Sequence, residues 1–68
     1  MTISELIKEI RFRLNYSVSE LALAIDVDSR TVYRWEQGKV IPKSTVIIKL
    51  LMLCKEKGVN INDIDFNL

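Results

Sequence analysis

VSELALAIDVDSRTVYRWEQGKVIPK, residues 18–43, holds two short helical patterns on either side of a four-residue turn, the second running into Gly38-Lys39 and then Pro42. Leu21, Ala22 and Ile25 fall on one face of the first helix, and Val32 and Trp35 on one face of the second, so the two faces can share a core. Ala22 stands where the helices must cross, and a methyl group there lets two backbones approach as closely as so short a turn demands. Val27, apolar within the turn, is expected beneath the crossing. Asp28 and Ser29 bring N-cap chemistry to the second helix, because a short side-chain oxygen accepts a free backbone N–H at a helix start.

The pattern extends outward in both directions. Thr2 and Glu5 have capping-box spacing, after which Ile3, Leu6, Ile7, Ile10 and Leu14 recur at helical period to about residue 14, where Asn15 with Tyr16 ends the helix. Ser17 or Val18 opens the next helix, which closes near Ile25. The third runs from about Ser29 to Gln37, with Gly38 as a left-handed C-cap. Lys39–Lys43 forms a loop containing Pro42. Ser44 is expected to cap a fourth helix that reaches about Lys57 and is stopped by Gly58, and Asn60 or Asn62 to start a last turn over Asn62–Ile64. No repeat, low-complexity tract or linker interrupts the chain. The predicted fold is all-α, a small four-to-five-helix bundle containing a helix-turn-helix, with residues 1–68 forming one domain.

Composition bounds what such a chain can do. Sixty-eight residues leave no room for two cores, and 49% hydrophobic and 28% charged residues with two Gly and one Pro suit a helical bundle. The longest apolar run, Val46 to Cys54, is broken by Lys49 and falls well short of the roughly 20 residues a membrane span needs. The opening MTISELIKEI carries acids among its apolar residues and lacks the basic start of a signal peptide, so a cytoplasmic location is expected. A single Cys54 cannot form an internal disulfide, and without His no structural zinc site is expected, nor any other metal or cofactor. The glycines are isolated, so no phosphate-cradling loop exists, and the carboxylates sit at helix-surface spacings. The chain does not read as an enzyme.

Charge is unevenly distributed along a chain whose formal net charge is only +1. Residues 1–28 carry three cations against five acids, whereas residues 29–43 carry Arg30, Arg34, Lys39 and Lys43 against Glu36 alone. The positive excess falls on the second helix of the motif and the loop after it. Either a solvated basic face or a surface for phosphates accounts for it.

Arg11, Ser17 to Ala22, and the stretch Thr31-Val32-Tyr33-Arg34-Trp35-Glu36-Gln37-Gly38-Lys39 followed by Pro42 together resemble the phage repressor and Cro type helix-turn-helix family, over nearly the whole chain. The resemblance implies a lambda-repressor-like bundle of five helices whose third helix enters the major groove. Members act as repressors, other transcriptional regulators, or DNA-binding antitoxins. Three positions depart from the family pattern. Asp26 stands where a Gly is usual and a positive φ is expected, Val18 replaces a Gln that often contacts phosphate and adjacent bases, and the fourth helix runs a turn longer through Lys55, Glu56 and Lys57.

With Val32 and Trp35 inward, the third helix turns Ser29, Arg30, Tyr33, Arg34 and Gln37 outward, and the resemblance implies that Ser29, Arg30 and Arg34 reach base edges. Two arginines suit guanine, because a guanidinium can donate two bonds to O6 and N7, a fit worth about 1 to 3 kcal/mol of discrimination. Phosphate contacts are expected from Ser17 and Ser19 at the start of the second helix, from Thr31 and Tyr33, and from Gln37, Lys39 and Lys43. The family pattern also places Arg11 and Glu36 in a structural salt bridge. Trp35 could serve as a stacking platform for a base, but its phase with Val32 makes it core. Cys54 falls in phase with Ile47, Leu50 and Leu51 and reads as a small core residue rather than a redox sensor.

The fourth helix is apolar almost all round, more than so small a domain can bury alone. Met52, Leu53, Ile61, Ile64 and Phe66 are the residues expected at a homodimer interface, formed at least on DNA, unless the tail simply packs over the helix. Phe12 lies off the first helix's stripe and has no assigned role. The sequence thus points to sequence-specific binding of double-stranded DNA at a pseudo-palindromic operator, as a transcriptional regulator of repressor type. The alternative is an antitoxin or adaptor that uses the same fold to hold a protein partner such as a toxin.

Overall fold

The structure, a computed structural model, describes residues 1–64. Its four helices are α1 (Ile3–Leu14), α2 (Val18–Ile25), α3 (Ser29–Glu36) and α4 (Ser44–Glu56). The first two begin with complete capping boxes. Thr2 Oγ1 accepts the Glu5 N–H at 3.2 Å while Glu5 accepts the Thr2 N–H at 2.8 Å, and Ser17 and Glu20 repeat the arrangement at 3.1 and 2.8 Å. These bonds hold both glutamate carboxyls below the usual range, because the backbone N–H and the hydroxyl favour the charged form. Asp28 caps α3 by accepting the Arg30 N–H at 2.8 Å, with Ser29 as the first helical residue. The start of α4 differs from expectation. Lys43 occupies the N-cap position and makes no capping bond, and Ser44 is already inside the helix.

All four helices end in the same way, on a residue in the left-handed region: Asn15 at φ 61°, Asp26 at 60°, Gly38 at 75° and Gly58 at 71°. In each case the next N–H returns to a carbonyl five residues back, Tyr16 to Arg11, Val27 to Ala22, Lys39 to Arg34 and Val59 to Cys54, at 2.8 to 3.1 Å. These are Schellman closures, and they terminate each helix sharply enough to turn the chain within a few residues. Asp26 therefore does adopt the conformation its family position requires. A carboxylate-bearing L residue tolerates that region better than most.

The core is built from Leu6, Ile7, Ile10 and Leu14 of α1, Leu21, Ala22 and Ile25 of α2, Val32 and Trp35 of α3, and Leu50 and Cys54 of α4. Ala22, only 2% exposed, lies at the α2–α3 crossing, and Val27 packs half-buried beneath it. Trp35 is buried, as its phase with Val32 implied. Among the described residues no helix is long and apolar enough to cross a membrane.

The C-terminal segment corrects one expectation. Ile64, assigned above to a dimer interface, is buried in the monomer's own core, and Ile61 packs half-buried against it. The cause is a clamp from α1. Arg13 donates to both oxygens of Asp63 at 2.6 and 2.9 Å, to the Asn60 carbonyl at 3.0 Å and to Glu9 at 2.8 Å, which draws the turn over residues 60–64 onto the bundle. Phe66, assigned to the same interface, lies outside the described residues.

Candidate nucleic-acid interface

α3 divides sharply by side. Val32, Trp35 and Glu36 are buried, while Arg30, Tyr33 and Arg34 are exposed and are continued by Gln37, Lys39 and Lys43, also exposed. Ser29 and Thr31 are half-buried at the start of the helix. A stiff helix of eight residues thus carries a cationic edge on one side and a sealed apolar edge on the other.

What fixes the rotation of α3 is an ion pair at its far end. Arg11 of α1 grips Glu36 through two parallel bonds, Nε to Oε2 at 2.7 Å and Nη2 to Oε1 at 2.9 Å, and its Nη1 donates to the Tyr16 carbonyl at 3.1 Å. The two side chains are 15% and 6% exposed. A forked guanidinium–carboxylate contact resists both sliding and twisting, so it ties α3 to α1 in one orientation. Phe12, which carried no role in the sequence, lies beside this pair, its ring centroid 4.9 Å from the Arg11 guanidinium carbon.

At the near end stands a second contact that sequence reasoning missed. The Asp28 carboxylate that caps α3 also accepts from Arg30, at 3.3 Å from Nε and 3.4 Å from Nη2. That pairing holds the Asp28 carboxyl below its usual range. Asp28 is legible as a cap, but nothing in a two-residue spacing announces that the capping group will also hold a side chain of the exposed face of α3. The Arg13 clamp is half legible, since Glu9 and Arg13 have helical i, i+4 spacing, whereas Asp63 lies 50 residues away.

Ser17 and Ser19 lie exposed at the start of α2. The Ser17 hydroxyl accepts the Glu20 N–H, so its own O–H hydrogen and the free backbone N–H groups of that first turn are the donors available there. Val18 is half-buried against the core, consistent with an apolar residue at a position where the family often uses a glutamine.

Comparison with known proteins agrees with this geometry. The family model described as helix-turn-helix matches residues 7–58. A protein of Methanococcus vannielii, provisionally named an HTH-type transcriptional regulatory protein, is 42% identical over 60 residues, covering 84% of this chain and 18% of the relative. A protein of Methanococcus maripaludis with the same kind of name is 37% identical over 62 residues, covering 87% of this chain and 19% of the relative. The chain therefore spans about a fifth of the length of these relatives. No solved structure matches it significantly. With the crossing at Ala22, the buried Arg11–Glu36 fork and a family match over most of its length, this chain belongs to the phage repressor and Cro type helix-turn-helix family.

Proposed function

We propose that the chain binds double-stranded DNA in a sequence-specific manner as a transcriptional regulator of repressor type, with α3 lying in the major groove. The observation that carries this reading is the cationic outer edge of α3, mounted in one orientation by the Arg11–Glu36 fork. Arg34 and Arg30, with Ser29 beside them, are candidates to meet base edges, where a guanidinium matches O6 and N7 of guanine. Thr31, Tyr33, Gln37, Lys39 and Lys43 flank them for phosphates, and the first turn of α2 at Ser17 and Ser19 offers backbone donors for another. The names of the relatives support the same activity.

One copy presents too few base-reading side chains to select a single site in a genome, so the reading includes a two-fold dimer on a pseudo-palindromic operator. Its seam is α4. Met52 is 63% exposed and Ile48 55% exposed, and Met52 with Leu53 borders a shallow groove against Ala24, Ile25 and Asp26 of α2. Lys49 and Glu56 close the two ends of that face, so antiparallel pairing of α4 with its copy sets each lysine against a glutamate.

Selection of bound duplexes from a random pool tests the proposal directly. Selected sites should be pseudo-palindromes with half-site centres about one helical turn, or 10 base pairs, apart, and sedimentation should give two chains per duplex. A pool that acquires no sequence preference overturns the DNA-reading proposal. A single unpaired half-site with one chain per duplex overturns the dimer.

A further inference from the structure

The Asp28–Arg30 contact uses only one edge of the arginine. A guanidinium carries five N–H groups, and the carboxylate takes the edge formed by Nε, at 3.3 Å from Oδ1, and Nη2, at 3.4 Å from Oδ2. The distal edge, formed by Nη1 and the remaining hydrogen of Nη2, has no acceptor among the described residues, and the Arg30 side chain is 83% exposed. Two parallel N–H groups at that spacing are the donor set that O6 and N7 of guanine accept. Asp28 is itself immobilised, because Oδ1 also accepts the Arg30 backbone N–H at 2.8 Å as the cap of α3.

We infer that Asp28 is a positioning and specificity-determining residue, which grips one edge of Arg30 so that the opposite edge is presented to guanine at a fixed place in the half-site. The inference rests on the DNA-reading function proposed above. Two physical effects act together. A free arginine on a surface helix samples many rotamers and loses that freedom on binding, whereas one already held at the helix start loses less. The carboxylate also lies close to where phosphates would approach, and its repulsion offsets the non-specific attraction of Arg30 for the backbone. Arg30 then contributes mainly at a base edge and little on an arbitrary duplex. Arg34 feels the same carboxylate only through space and makes no hydrogen bond to a carboxylate among the described residues, so its guanidinium is not fixed in this way.

The decisive comparison is between variants that keep the cap and lose the grip. Asn and Ser are good N-cap residues, but asparagine keeps one acceptor oxygen and sets an NH2 group against Nη2, and a serine hydroxyl cannot span a guanidinium edge, so D28N and D28S preserve α3 while breaking the two-point grip on Arg30. Parent, D28N, D28S and R30A are each taken through selection from random duplexes, with circular dichroism to verify helix content. The expected result is a parent preference for guanine at one base pair per half-site that falls about tenfold in D28N and D28S, towards the level of R30A. The other positions should keep their preference, and affinity for an unselected duplex should be equal to the parent's or higher.

Retention of the guanine preference within about twofold in both Asp28 variants overturns the inference, since the loss expected is about tenfold. So does uniform weakening at every position, which would make Asp28 a cap and nothing more. R30A selecting the same base as the parent overturns it by removing Arg30 from readout. Failure of the parent itself to select any sequence refutes the DNA-reading function first and is visible without any variant.

Discussion

Two arginine–carboxylate forks stand at opposite ends of α3, built from the same groups and differing in their access to water. At the C-terminal end Arg11 and Glu36 are 15% and 6% exposed and meet at 2.7 and 2.9 Å. At the N-terminal end Arg30 and Asp28 are 83% and 53% exposed and meet at 3.3 and 3.4 Å. Water decides what each pair can do. Removed from solvent, a charge pair becomes costly to separate and serves as a fixed joint between helices. In solvent the same kind of pair is worth little to stability, and here it leaves the opposite edge of the guanidinium open. α3 is thus anchored at one end and open to solvent at the other.

The largest effect should come from breaking the anchored end. Glu36→Ala leaves the Arg11 guanidinium in a mostly covered site with the Tyr16 carbonyl as its remaining partner, and should cost about 3 kcal/mol in denaturant unfolding. The double variant Arg11→Ala/Glu36→Ala should lose less than the sum of the single losses, since neither charge is then stranded. A double-mutant cycle with no coupling energy would make the two forks equivalent and end the comparison.

On the exposed face of α3 the effect should appear in binding and not in stability. Arg34→Ala should weaken binding to the selected operator by about 1 to 3 kcal/mol and relax preference at one base pair, with an unfolding midpoint close to the parent's. Lys39→Ala, beyond the end of the helix, should weaken binding to every duplex alike and reduce the salt slope by about one. If Arg34→Ala behaved like Lys39→Ala, the α3 face would hold DNA without reading it.

How far these features are legible follows from how local their causes are. The α2–α3 crossing can be read because Leu21, Ala22, Ile25, Val32 and Trp35 declare their faces by periodicity within a few turns, and the capping box of Thr2 and Glu5 is written in four consecutive residues. Arg11 with Glu36, 25 residues apart, has no local signature and is accessible only through family resemblance. Asp63 reaching Arg13 across 50 residues has neither, so Ile64 looks like surplus apolar area when it is core. The fourth helix misleads for a related reason. Its all-round apolar character is consumed partly within the monomer, by Leu50 and Cys54 and the half-buried Val46, Ile47, Leu51 and Leu53, which leaves Ile48 and Met52 outside. The inner stripe of Leu50 and Cys54 with Ile47 and Leu51 follows from its phase, whereas how much of the remaining apolar area the tail covers is a tertiary fact.

Arg13 of the tail clamp lies between the arginines of the two forks in exposure, at 26%, and its partner Asp63 is 69% exposed. Arg13→Ala should therefore cost less than Glu36→Ala, and it should act locally, accelerating hydrogen exchange at Val59 and Ile64 more than at the α2–α3 crossing. It should also change the acid response. Hydrogen bonds from Arg13 hold the Asp63 carboxyl below its ordinary range, so the unfolded chain takes up its proton first as pH falls. The contribution of the pair is present above the ordinary carboxylate range and is lost as pH drops through the folded value. Between about pH 5 and pH 2 the midpoint of Arg13→Ala should fall less steeply than that of the parent. Parallel acid profiles would show that the clamp is not formed in solution.

The smallest effect isolates a charge that has neither fork. Asp26 closes α2 at φ 60°, is exposed, and makes no ion pair among the described residues. Its carboxylate sits against the negative end of the α2 dipole, an unfavourable place for an anion, while Asn accepts the left-handed conformation at least as readily. Asp26→Asn should therefore stabilise the chain by about 0.5 kcal/mol at low ionic strength, and the gain should shrink as salt screens the dipole. Thermal unfolding at two salt concentrations measures both parts. Loss of stability in Asp26→Asn would mean that the carboxylate finds a cation, for which Lys49, lining the same α2–α4 groove, is the candidate. An exposed pair would then be contributing to stability, contrary to what the Asp28–Arg30 end of α3 leads one to expect.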